Sequence, residues 1–267
     1  MPDSISHSLF ANRILEELDF CGKESSAAYP HLFRAGSQGA DILYYCEYVK
    51  KGNGFYSLAD ALHEKDEGLV LALINESRPL LSPAAEAYLL GFAAHYCLDG
   101  EVHPFVYGLQ KKVARTLGVS EDCAHVVIES TFEARELFEA RGVTPKKFNC
   151  RENLPKNKAE CETVARAIGG LYALSSNTPP DEHALTLALR RLPFLFSLLF
   201  DKSGAANAAM ELVRSLKGQY ADIRWHVKRA YDGEFFGRVF TEADYAEYER
   251  LTDAAFRRCG ELFKGFN

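Results

Sequence analysis

The sequence predicts an all-α fold, and two observations lead to that prediction. Apolar residues recur at the three- and four-residue spacing of one-faced helices along most of the 267 residues. Val, Ile and Thr do not gather into the alternating runs that predict strands. A chain of this length has room for one large domain or two small ones. We expect a single all-α domain over residues 1–267.

The elements follow from the same spacing, interrupted by glycine and proline. In chain order the predicted helices cover residues 8–18, a segment that starts after Ser57, and residues 83–103, 120–141, 159–174, 181–200, 205–228 and 241–263. Pro83 stands at the start of its helix, where its missing N–H costs nothing. Residues 21–40, rich in Gly, Ser and Pro, are predicted as an ordered loop, and the polar residues 142–158 as a connection.

Composition and charge exclude several classes of protein. Lys and Arg number 31 against 37 Asp and Glu, a net charge of −6, so the chain lacks the basic excess that a stable nucleic-acid partner requires. No uncharged apolar run reaches the roughly 18 residues of a membrane span. The N-terminal residues do not resemble a secretory signal, and the seven Cys form no CxxC pair. We therefore expect a cytoplasmic protein with reduced thiols.

The clearest chemical signal lies in the apolar helix that Pro83 opens. His95, Asp99 and His103 are four residues apart, so they span about 80° of the helix circumference and project from one face. A single histidine is more often a surface or hydrogen-bonded core residue than a ligand. Three polar groups in an apolar helix cost several kcal/mol to bury unless something compensates them. A divalent cation would compensate all three, because imidazole nitrogen and carboxylate oxygen are both metal ligands.

Further potential ligands stand before and after this helix. His125 and Glu129 are four residues apart on the next helix, which places them side by side. Upstream come His7, then Asp41 after the segment RAGSQGA, and His63. The pattern thus contains five histidines and three acids, and it leaves out three histidines: His31, His183 and His226.

In this order the residues resemble the zinc-dependent phospholipase C family. The matching pieces are His7, GSQGAD ending at Asp41, LHE around His63, HYCLDGEVHP from His95, and HVVIE from His125. Bacterial phosphatidylcholine-preferring phospholipase C and the fungal single-strand-specific nucleases share the all-α fold of that family. The resemblance covers roughly residues 1–139. It divides the expected domain into a metal-site half, 1–140, and additional helices, 141–267.

The resemblance implies up to three zinc positions. One would be surrounded by two acids and two imidazoles: Asp41, His63, His95 and Asp99. A second would be held by His103, His125 and Glu129. His7 would contribute to a third, with Asp99 as a bridge, which the secreted enzymes complete with their processed N-terminal residue. Met1 to Ser6 precede His7 here, a departure from that pattern, so we expect two or three Zn²⁺ ions, and nitrogen and oxygen ligands also accept other divalent metals.

The activity implied is hydrolysis of a phosphoester by a metal-activated water, with Asp41 orienting or deprotonating that water. The substrate would be a lipid or a small soluble phosphoester, and a nuclease-like phosphodiesterase is an alternative. Peripheral membrane contact is compatible with the apolar segment 191–200, although core packing explains that segment better. Tyr44, Tyr45 and Tyr48 offer limited material for stacking on nucleic-acid bases.

A different class of function stays open, namely a helical module that metal ions stabilise without turnover. Structural zinc sites are usually closed, four-coordinate and often contain cysteine. None of the eight candidate ligands is a cysteine, which favours open positions that water or substrate can occupy. The enzyme is therefore the favoured interpretation.

Overall fold

A computed structural model describes residues 4–63, 67–174, 178–200 and 230–266. Over these ranges the chain forms α-helices and short 3₁₀ turns and no β-strand, which confirms the all-α prediction. The helices are α1 (Ser4–Glu17), α2 (Lys23–Ala28), α3 (Pro30–Gly36), α4 (Asp41–Val49), α5 (Phe55–His63), α6 (Glu67–Ser77), α7 (Pro83–Leu117), α8 (Glu121–Arg141), α9 (Lys158–Leu174), α10 (Glu182–Leu199), α11 (Gly233–Val239) and α12 (Glu242–Lys264). The helix predicted over 205–228 lies outside the described residues.

The residues group into two compact units. The first unit comprises Met1–Ser6, Gly100–Cys150 and Phe196–Ala254. The second unit comprises His7–Asp99, Arg151–Leu195 and Ala255–Asn267. A single domain over residues 1–267 stays a prediction.

Local signals account for the boundaries of the long helices. Pro83 begins α7, as its position in the sequence predicts. Ser120 caps α8, because its Oγ accepts a hydrogen bond from the Cys123 N–H at 3.1 Å. Gly142 ends the same helix at a φ of 63°, a left-handed conformation that glycine adopts without a steric penalty. The predicted connection 142–158 contains only short 3₁₀ turns before α9 begins.

The prediction of a loop over residues 21–40 was wrong. Two short helices, α2 and α3, form there, and Pro30 stands at the start of the second. Leu32, Phe33 and Ala35 of α3 are fully buried, so tertiary packing outweighs the weak local preference of a seven-residue segment. The start of α5 was also misplaced, because the helix begins at Phe55 and Ser57 lies inside it.

In the second unit, α3 packs against α7 with almost no side-chain volume between the two backbones. A Cβ atom added at Gly36 would lie 1.9 Å from the Tyr88 carbonyl oxygen. One added at Gly91 would lie 2.0 Å from the Phe33 carbonyl oxygen. The contact is glycine-specific on both helices. It brings the residues that follow α3 onto the middle of α7.

In the first unit, an aromatic cluster surrounds Phe132 of α8. The Phe132 ring centroid lies 4.9 Å from that of Phe240 and 5.0 Å from that of Tyr248, and the Phe132 side chain is fully buried. Arg135, one turn along, stacks on the Tyr245 ring with its guanidinium carbon 3.9 Å from the centroid. These contacts fix α12 against α8.

The apolar segment 191–200 belongs to α10, which begins at Glu182 and includes Pro193 in its interior. Leu192, Phe196 and Phe200 are buried, as the core interpretation predicts, whereas Phe194 and Leu198 are exposed. Within the described ranges, no helix combines the length and the apolar character needed to cross a bilayer.

We predict that Gly36→Ala and Gly91→Ala each lower the free energy of unfolding by about 3 kcal/mol, because the new methyl group would overlap backbone atoms that cannot move aside. Gly169→Ala is the matched control. It places the same methyl group in α9, where nothing lies within 4 Å, and should raise stability by about 0.5–1 kcal/mol. Urea denaturation of the three variants measures this difference, and equal effects would contradict the described contact.

Candidate metal centre

Helix spacing and one tight turn bring four polar residues together in the second unit. On α7, His95 Nε2 lies 3.2 Å from Asp99 Oδ2. His7 of α1 approaches the other oxygen of the same carboxylate, with Nε2 3.2 Å from Asp99 Oδ1. Asp99 therefore presents each of its oxygens to a different imidazole. The His7 and His95 rings face each other at a centroid distance of 4.8 Å.

Asp41 enters this cluster from the start of α4. The turn before it passes through Gly39 at a φ of 56°, so close to α7 that an added Cβ would lie 2.0 Å from His95 Cδ2. Only glycine allows both the backbone conformation and the approach. One potential ligand atom from each of His7, Asp41, His95 and Asp99 lies within 4.8 Å of the others. These four residues are named the Asp99 group.

His63, the last residue of α5, is attached to this group through Asp41. Its Nε2 lies 3.1 Å from Asp41 Oδ1, and its Nδ1 lies 2.9 Å from the Ala59 carbonyl oxygen. Because the Ala59 carbonyl can only accept, Nδ1 carries the proton and donates it. That contact directs Nε2 towards the carboxylate.

The charges of the neighbouring residues and burial shift the pKa values of Asp41, His63 and His95. Burial alone would raise the pKa of Asp41, but the charge and hydrogen bond of His63, together with the charge of His95, lower it below 3.8. Burial would lower the pKa of His63, but Asp41 and Asp99 raise it to about 9. His95 is fully enclosed, and burial lowers its pKa to about 4 despite the nearby carboxylates. At neutral pH the centre thus contains a His63–Asp41 ion pair beside a neutral His95.

A second cluster, named the Glu129 group, lies in the first unit and consists of His103, His125 and Glu129. Glu129 Oε1 lies 2.8 Å from His125 Nε2 and 3.5 Å from His103 Nε2. Burial would raise the pKa of the Glu129 carboxyl, but the two histidines hold it well below its usual range. The ring of Tyr107 stands beside both imidazoles, at centroid distances of 5.6 Å and 5.4 Å.

The donor sets fit a zinc ion. Both groups offer imidazole nitrogen and carboxylate oxygen, which are ordinary zinc ligands. The Oε2 atom of Glu129 is buried without a hydrogen-bond partner, and so is Nδ1 of His95. A buried carboxylate oxygen without a partner is costly, and a bound cation would satisfy it. Two histidines and one glutamate also match the ligand set of open, catalytic zinc sites.

All eight residues singled out by the sequence lie in, or in contact with, one of these two groups. The resemblance grouped His63 with Asp41, His95 and Asp99, whereas the four whose ligand atoms converge include His7. How the eight divide among individual ions stays a prediction. Two of the excluded histidines are described: His31 pairs with Glu160 at 2.9 Å, and His183 is exposed.

Sequence reasoning missed two side chains that contact the predicted ligands. Tyr107 follows His103 by four residues on α7, and this spacing could have indicated the ring contact. Tyr44 follows Asp41 by three residues on α4 and stacks on His63. The sequence suggested Tyr44 only for base stacking, because the packing of α4 against α5 is not visible in the sequence.

A family model described as zinc dependent phospholipase C matches residues 6–167, which is more than half of the chain. The matched range contains every residue of both groups. No curated protein and no solved structure matches the chain.

We predict that Gly39→Ala displaces the His95 ring and lowers the free energy of unfolding by about 2–4 kcal/mol, the sum of a left-handed backbone penalty and a clash. Gly54→Ala has a similar φ, 70°, with nothing within 4 Å, so it should carry the backbone penalty of about 1 kcal/mol alone. Urea denaturation of both variants separates the cost of the clash with His95 from the backbone penalty. If the two variants were equally stable, His95 would not lie against this turn.

Proposed function

The chain belongs to the zinc-dependent phospholipase C family, and from that premise we propose that it is a zinc-dependent phosphoester hydrolase of the phospholipase C type. The observation that carries the proposal is the Asp99 group. Four donor residues converge within 4.8 Å, and His7, Asp41 and His95 among them are buried. A protein rarely buries two imidazoles and two carboxylates together unless a cation or a reaction requires them.

We assign the ligands residue by residue. In the second unit, zinc would be held by His7, Asp41, His63, His95 and Asp99. In the first unit, zinc would be held by His103, His125 and Glu129. The two oxygens of Asp99 face His7 and His95 separately, which supports Asp99 as a bridge between two cations. Two or three ions in total are compatible with this donor set.

Bound zinc supplies Lewis acidity towards a phosphoryl oxygen and lowers the pKa of water at the site. The residues of the chain set up that chemistry. His95 has a pKa of about 4, so at neutral pH it is uncharged, the state in which imidazole binds a metal. Asp41 has a lowered pKa and is a weak base, so its proposed role is to accept a hydrogen bond from the attacking water and orient it.

For the substrate we propose a lipid phosphoester, the class that the family description indicates. The exposed ring of Tyr56 contacts that of Tyr44 at 4.9 Å, and the Tyr44 ring in turn stacks on His63. Exposed aromatic rings of this kind suit an amphiphilic substrate at an interface. A soluble phosphodiester or an oligonucleotide would be distinguished from a lipid by the substrate panel below.

The alternative is a module that metal ions stabilise without turnover. No described cysteine belongs to either group. The Glu129 group offers three protein ligands, one fewer than a closed tetrahedral structural site requires. Both features favour a site with an exchangeable position, and therefore favour the enzyme.

We predict that Asp99→Ala binds less zinc and loses at least about 100-fold in phosphodiesterase activity, because it removes a carboxylate shared by two imidazoles. The matched control is Asp122→Asn, an exposed acid in the first turn of α8, which should keep the zinc content and activity of the wild type. Metal analysis gives the stoichiometry, and a chromogenic phosphodiester, a phosphatidylcholine vesicle panel and single-stranded DNA give the activity.

Two results would contradict the proposal. A zinc-loaded wild type that cleaves none of these substrates would leave the stabilised module as the correct interpretation. Unchanged zinc content in Asp99→Ala would show that the ligand assignment is wrong.

We predict that zinc binding releases about one proton from His63 at pH 7, since this imidazole has a pKa of about 9 without metal and must be neutral to bind. Because His63 must lose its proton, the zinc affinity should rise up to tenfold per pH unit as the pH increases towards 9. Above pH 9 this contribution of His63 should level off. His95, with a pKa of about 4, releases none at pH 7. Calorimetry in buffers of different ionisation enthalpy counts the protons, and His63→Gln should reduce the count by about one.

A further inference from the structure

A hydrogen bond between the side chains of Tyr44 and Asp60 joins α4 to α5 beside the Asp99 group. The Tyr44 hydroxyl donates to Asp60 Oδ1 at 2.6 Å. Tyr44 follows Asp41 by three residues on α4, and Asp60 precedes His63 by three on α5. Residues three apart on a helix are neighbours on its surface. The hydrogen bond therefore sits beside the Asp41–His63 contact and fixes the same register between the two helices.

The Tyr44 ring also acts directly on His63. The two rings are nearly parallel, 15° apart, with a centroid distance of 5.8 Å. The His63 imidazole contacts the Ala59 carbonyl at Nδ1 and the Asp41 carboxylate at Nε2. Two rings lie against it as well: that of His95, edge-on at 5.8 Å, and that of Tyr44, nearly parallel. The nitrogen contacts set the orientation of the ring edge, and the parallel Tyr44 ring restricts rotation of the imidazole out of its plane.

Tyr44 contacts α5 with both ends of its side chain. Its hydroxyl donates to Asp60, and its ring contacts those of Tyr56 and His63. The other tyrosines of α4 have different surroundings: Tyr45 is buried in the core, and Tyr48 is exposed.

We propose that Tyr44 is a positioning residue: its hydroxyl on Asp60 and its ring on His63 hold the His63 imidazole with Nε2 against Asp41. The assignment of His63 as a zinc ligand rests on the function proposed above. The positioning itself concerns only residues of this chain and can be measured without metal.

The metal-free measurement uses Tyr44→Phe, Asp60→Ala and Asp60→Asn. Tyr44→Phe keeps the ring and its magnetic effect on His63 but removes the hydroxyl, so a changed shift reports movement of the imidazole. We expect the His63 ring ¹H and ¹⁵N shifts, assigned with His63→Gln, to change in Tyr44→Phe and Asp60→Ala. Asp60→Asn keeps an acceptor oxygen and should restore most of the wild-type shifts. Tyr48→Phe on the same helix is the control and should leave them unchanged.

The second measurement is zinc affinity by chelator competition at pH 7, with thermal unfolding of the same samples. We expect Tyr44→Leu to weaken zinc binding about 10- to 100-fold, as the loss of a group that orients a metal ligand does, and Tyr44→Phe to weaken it less. Tyr48→Phe should bind as the wild type does. A role in stability alone would lower the unfolding temperature and leave the affinity of the folded protein unchanged.

The outcomes separate this inference from the proposed function. His63 shifts that stay unchanged in Tyr44→Phe and Asp60→Ala would overturn the positioning role, whatever the zinc affinity. Wild-type protein that binds no zinc would overturn the proposed function, whereas displaced His63 shifts in the same variants would still support the positioning role.

Discussion

The candidate site depends on one close contact between two helix backbones. Gly36 and Gly91 allow α3 and α7 to approach until main-chain atoms touch, and Gly39 continues the contact against the His95 ring. Any side chain at these positions would push α3 and the following turn away from α7. Asp41 begins α4 immediately after that turn. It can lie close to His95 because all three of these positions are glycine and have no side chain between the backbones. The close backbone packing thus positions Asp41 beside His95.

Within the cluster, the His63–Asp41 ion pair contributes stability of its own, and that contribution depends on pH. The lowered pKa of Asp41 contributes stability that is present above the carboxyl's ordinary pKa of 3.8 and is lost as the pH falls below it. The raised pKa of His63 contributes stability that is complete below 6.5 and is lost as the pH rises through about 9. The His63–Asp41 ion pair therefore stabilises the folded protein most between pH 3.8 and pH 6.5. A cation that binds to His63 must displace its proton.

Much of this arrangement could be predicted from the sequence, for identifiable reasons. Helix α7 has an apolar face and a proline at its start. His95 and Asp99 are four residues apart, so they lie on one face of the helix however it packs. Helix α3 could not be predicted, because seven residues carry too little periodicity, and its stability comes from the burial of Leu32, Phe33 and Ala35 in the folded chain. The contact of His63 with Asp41 depends on how α4 packs on α5, which only tertiary structure shows.

The two groups differ in what they would offer a cation, and that difference bears on the proposed chemistry. The Asp99 group and His63 together present more donor atoms than one zinc ion takes, and the two oxygens of Asp99 already face separate imidazoles. The Glu129 group presents three residues, with one carboxylate oxygen buried and without a partner. The Glu129 group, with three protein ligands, leaves a fourth, exchangeable zinc position, and we expect water or a phosphoryl oxygen to occupy it. The aromatic ring of Tyr107 beside both of its imidazoles would then border that exchange position.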